Sequence, residues 1–351
     1  MSNFILVTGG AGYVGSHTCK RLAARGFRPV TYDNLGQGHA RAVRWGPLEV
    51  GDVCDTKRLI EVMHRYQPAA IVHFAASSLV GESVANPVKY YRANVGGTIS
   101  LIFAALQANV DRLVFSSTCA VYGTPERLPI TESEAKAPVS PYGRSKLMME
   151  TILRDCCTSY GLDVVALRYF NAAGADADGE IGEAHDPETH LVPLVLGAAL
   201  DPARHITVFG TDYDTPDGTC IRDYIHVEDL AAAHVAAVER LISGDLNGFR
   251  TFNLGSGTGI SVREIIDFVQ AMTGRAINVR EGPRREGDPP ILVADPSRAE
   301  TALDWRAERS DLQTIIGSAW AWMKRTAPQS SGDPDPDPAD RVQPRTAVGE
   351  H

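Results

Sequence analysis

The chain has 351 residues, of which 44% are hydrophobic and 22% charged, and its formal net charge is −9. That length accommodates two domains, or one large α/β domain with a smaller lobe, and the composition is that of a globular chain with a full core. The acidic balance and the lack of a basic patch exclude nucleic acid as an expected partner, so any phosphate-bearing ligand has to be held by a few placed Arg side chains, helix N-termini and backbone amides.

The first half alternates apolar strand-like runs with amphipathic helical stretches. Phe4–Thr8 reads as a first strand and Tyr13–Ala24 as the helix after it, stopping near Gly26. Further strands are expected at Pro29–Tyr32, Leu48–Val50, Ala70–Phe74, Leu113–Ser116 and Val164–Arg168. Helices are expected at Thr56–Tyr66, Gly97–Ala108 and Tyr142–Tyr160. Continuous apolar strands between helices predict an α/β fold: a doubly wound, Rossmann-like parallel sheet covered on both faces, with ligands at the C-terminal ends of its strands.

After Asn171 the rhythm changes. Ala172–Thr219 is rich in Gly, Asp and Pro with little clean periodicity, and loops this long inside a compact protein usually serve function. Helical patterns return at Val227–Ile242, Ser261–Met272 and Leu312–Met323. The expected organisation is a dinucleotide-binding domain over 1–171, with a returning segment near 220–250, and a smaller, loop-rich α/β substrate lobe over 172–326. A Pro- and Asp-rich tail, 327–351, is expected to be disordered.

The six cysteines, Cys19, Cys54, Cys119, Cys156, Cys157 and Cys220, form no CxxC pair. No metal is therefore expected, and the scatter of thiols fits a reducing cytosol, so the expected location is cytoplasmic. Met1-Ser2-Asn3 runs straight into an apolar strand with no basic segment or cleavage site, so no signal peptide is expected. No apolar run is long enough to span a bilayer, and no membrane partner is expected.

The first loop reads Thr8-Gly9-Gly10-Ala11-Gly12-Tyr13-Val14-Gly15, with Gly9, Gly12 and Gly15 in GxxGxxG spacing. Bare backbone there turns sharply, approaches a pyrophosphate and delivers it to a helix N-terminus. Glycines also serve ordinary tight turns, but this loop follows a strand and opens a helix. An acid is expected about 20 residues on, gripping ribose hydroxyls, and Asp33 stands there. Its carboxylate would repel the extra phosphate of NADP, which favours NAD; the competing reading makes Asp33 a turn or cap residue. Asp52 reads equally as an adenine contact or as a helix N-cap.

Pro141-Tyr142-Gly143-Arg144-Ser145-Lys146 is the sharpest chemical signal. Tyr142 and Lys146 lie four apart at the start of a helix and share one face. A phenol with an ordinary pKa near 10 is a poor base at neutral pH. A nearby ammonium and a cationic nicotinamide ring are expected to favour the phenolate, so that Tyr142 takes a proton from a sugar hydroxyl while the carbon gives hydride to NAD. The fifth strand ends Phe115-Ser116-Ser117-Thr118, where a hydroxyl can relay that proton or, as the blander alternative, satisfy its own backbone.

These residues sit in longer motifs: VTGGAGYVGSHT at Val7–Thr18, HFAA at His73–Ala76, VGESV at Val80–Val84, YYRANVGGT at Tyr90–Thr98, SSTCAVYG at Ser116–Gly123, SPYGRSKLMME at Ser140–Glu150, LRYFNAAGA at Leu167–Ala175, DGTCIRDYIHV at Asp217–Val227 and RREGDPP at Arg284–Pro290. With them the chain resembles, from Phe4 to Lys324, the UDP-glucose 4-epimerases of the extended short-chain dehydrogenase/reductase family. The resemblance implies Tyr142 as base, Lys146 as its electrostatic partner on the nicotinamide ribose, and Thr118 as the hydroxyl group where many members carry Ser. It implies cofactor contacts at Gly9, Gly12, Tyr13, Val14, Gly15, Asp33, Asn34, Asp52, Val53, Phe74, Ala75, Ala76, Asn94 and Tyr169. For a UDP-sugar substrate it implies Asn171, Arg222 and Arg285 on the diphosphate, Asp288 on the uridine ribose and Phe209 by the uracil, with further contacts at His190, Leu191, Thr207 and Leu292. A homodimer is implied, with Gly97–Ala108 and Tyr142–Tyr160 as candidate interface helices.

Three positions depart from the family pattern. Ser78 stands where some members carry a Lys near the cofactor pyrophosphate. His190 stands where an Asn often precedes Leu-x-Pro. Leu292 falls at a position where a Tyr excludes N-acetylated sugars and a small residue admits them, and it is intermediate in size. The reaction implied is inversion at C4 of the sugar, interconverting UDP-galactose and UDP-glucose through a transient 4-keto sugar. A 4,6-dehydratase or decarboxylase needs a carboxylate beside Thr118, and Cys119 and Ala120 supply none. Epimerisation of UDP-xylose and UDP-arabinose, or of UDP-N-acetylhexosamines, stays open because it uses the same residues. A non-catalytic NAD-sensing module is the reading of another class, and the intact Tyr142/Lys146 pair opposes it.

Overall fold

The computed structural model describes residues 2–285 and 287–326; the expected disordered tail, 327–351, lies outside the described residues. The strands are β1 (Phe4–Thr8), β2 (Arg28–Asp33), β3 (Leu48–Val50), β4 (Ala70–His73), β5 (Arg112–Thr118), β6 (Asp163–Tyr169), β7 (Asn171–Ala173), β8 (Ile206–Phe209), β9 (Ile221–His226), β10 (Phe249–Leu254), β11 (Gly259–Ser261), β12 (Val279–Gly282) and β13 (Ile291–Leu292). The helices are α1 (Tyr13–Ala24), α2 (Thr56–Tyr66), α3 (Val80–Ala85), α4 (Pro87–Tyr90), α5 (Gly97–Gln107), α6 (Pro141–Tyr160), α7 (Leu191–Leu200), α8 (Val227–Ser243), α9 (Val262–Thr273), α10 (Ser297–Leu303) and α11 (Leu312–Thr326).

Seven strands form one parallel sheet in the order β10-β6-β5-β4-β1-β2-β3. Their apolar runs are buried on both faces; Ile5, Val7, Ile71 and Val72 are fully enclosed. One face is covered by Leu59, Met63, Leu101 and Leu153 of α2, α5 and α6, and the other by Leu22, Leu230, Val238 and Leu303 of α1, α8 and α10. The order runs from β1 outward to β2 and β3, then returns to place β4 on the other side of β1. That reversal leaves a crevice at the C-terminal ends of β1 and β4, where an open α/β sheet receives its ligand.

After β6 the chain leaves the sheet and builds a second core around Val195, Leu196, Ile265 and Ile315. Its strands are short: β9 pairs β7, β11 and β13, and β8 pairs β12. Between these excursions α8 packs on the large sheet and β10 adds its seventh strand beside β6. Helix α7 lies inside the stretch that showed no period, because its ten residues are apolar all round. The helix expected from Gly97 is preceded by a π-helical segment, Tyr91–Gly96.

Candidate active site

The glycine loop joins β1 to α1. Gly9 has φ +74°, and a Cβ there would lie 2.6 Å from Ala75 N. A Cβ at Gly15 would lie 2.2 Å from Gly9 O, so helix and loop touch backbone to backbone. Gly12 meets nothing closer than 3.3 Å, so its bareness serves an outside approach more than internal packing. The N-terminus of α1 has no side-chain cap and no acid in its first turn, which leaves its amides open to an anion. The residues present therefore fit a dinucleotide pyrophosphate at this turn. Tyr13 donates its hydroxyl hydrogen to Gly174 O at 2.5 Å, and Val14 packs on the sheet core. A cavity of 250 Å³ opens beside Gly12 and Tyr13, with His39, Arg41 and His185 among its walls.

Asp33 ends β2, almost buried, and accepts from Ala11 N at 3.0 Å and Leu35 N at 2.9 Å. Burial raises its pKa and the two amides oppose the rise. The turn reading and the ribose reading thus meet in one residue: one oxygen holds the following turn, and the other ties strand β2 to the glycine loop. Asn34 donates to Asp52 Oδ2 at 2.9 Å, and Asp52 accepts from Cys54 N at 2.8 Å. The cap of α2 is Asp55, which accepts from Arg58 N, so the N-cap alternative for Asp52 is corrected: the helix starts three residues further on. Val53 is buried against Gly97, where a Cβ would lie 2.5 Å from Val53 Cγ1.

Across the crevice, Phe74 N and Ala75 N both donate to Thr8 O, and Ala76 follows at the half-buried strand end. Asn94 is fully buried. Its amide accepts from Ser77 N at 2.8 Å and donates to Ser77 O and Ser145 Oγ, so it clamps the segment after β4 onto α6. Ser78 is exposed beyond that clamp.

Helix α6 starts on a Ser140 cap, with Pro141 in its first turn and Ser140 Oγ accepting from Gly143 N at 3.1 Å. This start brings Tyr142 and Lys146 to the C-terminal end of β5. Thr118 Oγ1 accepts from Ala120 N at 3.1 Å, the backbone role foreseen for a strand terminus, and its hydroxyl is near enough to the Tyr142 phenol to act on its pKa. Burial pushes the phenol above its ordinary value, Tyr169 adds to the rise, and Thr118 opposes it. Lys146 Nζ donates to Ser116 O at 2.7 Å and lies 5.0 Å over the Phe115 ring, and burial lowers its pKa to about 7 against an opposing pull from Glu150. In the protein alone desolvation sets the direction of the Tyr142 pKa. Tyr169 shares a 2.7 Å hydrogen bond with Ser116 Oγ, so Ser116 ties Lys146 through its carbonyl and Tyr169 through its hydroxyl.

Sequence reasoning passed over the support behind this face. Glu150, one turn beyond Lys146, is fully buried and takes two hydrogen bonds from Arg168, at 2.8 and 2.5 Å, and one from Ser117 at 2.6 Å. Arg168 also donates to Tyr122, which donates to Asn253. The signal was an Arg inside an apolar strand, which demands a buried partner.

The substrate-side residues gather at the ends of β7, β8, β9 and β13. Arg222 pairs with Asp288 at 2.5 Å and donates to Ile221 O. The Arg285 guanidinium lies 4.1 Å from the centre of the Phe209 ring. Thr207 lies two residues before Phe209 on β8, Leu292 stands opposite Arg222 in the β13–β9 register, and Asn171 opens β7. His190 caps α7 by position and Leu191 begins it, but the His190 ring turns to Glu183 and Glu188, which raise its pKa to about 10 against the opposing effect of burial.

The NAD dependent epimerase/dehydratase family matches residues 5–255. The UDP-glucose 4-epimerase of Rhizobium meliloti (strain 1021) is 53% identical over 324 residues, 92% of this chain and 98% of the relative. The crystal structure of UDP-glucose 4-epimerase from Brucella ovis in complex with NAD superposes with TM-score 0.89 at 55% identity, covering 91% of this chain and 98% of that one. The enzyme from Bifidobacterium longum, in complex with NAD+ and UDP, superposes with TM-score 0.87 at 38% identity, covering 92% and 98%. With the family match spanning most of its length and these likenesses nearly all of it, the chain belongs to the NAD dependent epimerase/dehydratase family.

Proposed function

We propose that the chain is an NAD-dependent UDP-glucose 4-epimerase, interconverting UDP-galactose and UDP-glucose through a transient 4-keto sugar. The carrying observation is the Tyr142 phenol facing the Thr118 hydroxyl at the end of β5, with Cys119 and Ala120, not a carboxylate, next in the chain. That set exchanges one proton with a sugar oxygen and lacks the acid that elimination requires.

In this reading Gly9, Gly12 and Gly15 admit the pyrophosphate, Asp33, Asn34, Asp52 and Val53 frame the adenosine end, and Phe74–Ala76, Asn94 and Tyr169 border the rest. NAD, when bound, would supply a hydride acceptor and donor for C4 and a positive charge that favours the phenolate. Tyr142, through or beside Thr118, takes the proton from the 4-hydroxyl and later returns it. Lys146, held neutral or charged near pH 7, donates along the ribose side and keeps Ser116 and Tyr169 in place. Arg222, Arg285, Asp288, Phe209 and Asn171 hold the UDP, while His190, Leu191, Thr207 and Leu292 border it and the sugar. The Arg222–Asp288 pair exchanges partners when a diphosphate and a ribose arrive. Strong contacts on the nucleotide and few on the hexose leave the sugar free to present either face.

We place the dinucleotide domain at 1–171 with the returning segment near 220–250, and the substrate lobe at 172–326. The protein works in the cytoplasm as a homodimer; its six thiols are all free, and Ile99 and Phe103 of α5 and Met148 of α6 are exposed apolar residues on the two candidate interface helices. Among the described residues no helix is long and apolar enough to cross a membrane.

The test is NMR of the purified protein with UDP-galactose, UDP-N-acetylgalactosamine and UDP-arabinose separately, without added NAD. Formation of UDP-glucose is expected. Silence toward all three, with NAD supplied, sinks the substrate assignment.

A further inference from the structure

The loop that leads into α7 reads Gly182-Glu183-Ala184-His185-Asp186-Pro187-Glu188-Thr189-His190. It brings Glu183, His185, Glu188 and His190 together, with one ligand-type atom from each within 4.8 Å of the others. His185 Nδ1 lies 3.1 Å from Glu183 Oε1 and 3.6 Å from Glu188 Oε2. His190 Nδ1 lies 2.8 Å from Glu183 Oε1 and shares a 3.0 Å hydrogen bond with Glu188 Oε1, which also accepts from Thr189 N and His190 N and would have to exchange these partners for an ion. The Glu183 side chain is only 7% exposed, yet its Oε1 has no hydrogen-bond partner, and neither has the buried His185 Nδ1.

A buried carboxylate oxygen two contacts away from imidazole nitrogens, with no hydrogen directed along either line, is a costly arrangement unless something else satisfies it. Atoms crowd in this way when they face a shared cation. Donors about 2.0–2.2 Å from a tetrahedral centre stand roughly 3.3–3.6 Å from one another; the His185 contacts at 3.1 and 3.6 Å approach this spacing, and the His190 contacts at 2.8 and 3.0 Å would have to open slightly. Two imidazoles and two carboxylates suit a borderline divalent ion better than calcium or magnesium, which prefer oxygen alone. The nearby Asp176, Asp178 and Glu180 form a contrasting group, since Lys20 already bonds all three.

We propose that Glu183, His185, Glu188 and His190 form a binding site for one divalent transition-metal ion of the zinc class. The absence of a CxxC pair pointed away from metal, but it speaks only of thiolate ligands. The site's position gives the ion two effects. The same loop is tied to its surroundings by His39 on Ala184 O at 2.7 Å and by Trp322 on Glu183 O at 2.9 Å, and the His185 ring stands edge-on to Tyr13. An ion therefore staples the loop over the glycine turn. Coordination through Nδ1 also leaves the His190 proton on Nε2, turning the ring into a fixed donor at the start of α7. This second effect rests on the proposed substrate role of His190; the metal site itself does not.

The full-length protein, stripped with chelator, is titrated with zinc chloride by calorimetry and with cobalt chloride by visible spectroscopy. One equivalent per chain is expected, with the intense ligand-field bands of a four- or five-coordinate cobalt ion. Glu183→Gln and His185→Gln are each expected to weaken binding about tenfold or more. Glu188→Gln, at a more open position, provides a third variant should the buried ones fold poorly, as read by circular dichroism. No uptake by the wild-type protein, or equal uptake by wild type and folded variants, overturns the proposal and leaves two histidines paired with two glutamates. The cobalt spectrum is independent of epimerase activity, so failure of the functional reading and failure of the metal site are told apart.

Discussion

Tyr142 and Lys146 share a helix face but not an environment. The phenol is desolvated and faces Thr118, and the amine is turned to Ser116 O. Removing the phenol oxygen in Tyr142→Phe takes away the proton acceptor without touching the nucleotide contacts, so turnover is expected to fall about 10²–10⁴-fold while UDP affinity stays near wild type; steady-state rates and a UDP titration read both. Lys146 carries a pH signature. Its folded pKa, about 7, lies below its unfolded value of 10.5. Between those values the unfolded chain binds the extra proton, so this residue makes stability rise with pH across that window, and its penalty is largest below pH 7. Lys146→Met removes the titration. The variant is expected to gain on wild type in urea midpoint near pH 7 and to lose that advantage toward pH 10; parallel midpoints over the range would overturn the assignment.

Helix α6 is held to strands β5 and β6 by charge as well as by apolar packing. Glu150 and Arg168, both fully buried, form a two-bonded pair that reaches Ser117 and Tyr122. Truncating one partner leaves the other charge buried and alone. Glu150→Ala is expected to cost about 3–5 kcal/mol in denaturant unfolding, and Glu150→Met with Arg168→Met to recover much of that loss. At this scale the chain was readable where its pattern was regular. The expected α1, α2 and β3 match the structure residue for residue; α1 is bracketed by glycines and α2 by its Asp55 cap. Helix α7 was not readable: Leu-Val-Pro-Leu-Val-Leu-Gly-Ala-Ala-Leu is buried in the second core and has no polar face to set a period. Strands β7, β9 and β13 are two to six residues long and take their form from one another across the sequence. The same limit applies in the site. Asp33 stood at a predictable spacing from the glycines, whereas the Arg222–Asp288 pair joins residues 66 apart and the Glu183–His190 set emerges only when its loop folds back.

The molecule as a whole presents one exposed apolar feature on its candidate interface. Ile99 and Phe103 lie one turn apart on α5, each 52% exposed, with Met148 on α6. Phe103→Asp is expected to shift the protein from dimer to monomer by light scattering coupled to size exclusion; a monomeric wild type would remove the dimer from the reading. The second consequence comes from the route of the chain. It leaves the large sheet after β6, returns through α8 and β10, leaves again for β11 and α9, and returns at α10 before crossing once more to α11. A chain that crosses this often between its two cores has no single hinge, because each crossing would have to bend with the others. Several crossings resist opening together, which favours a reaction in which the guest turns over and the host stays put.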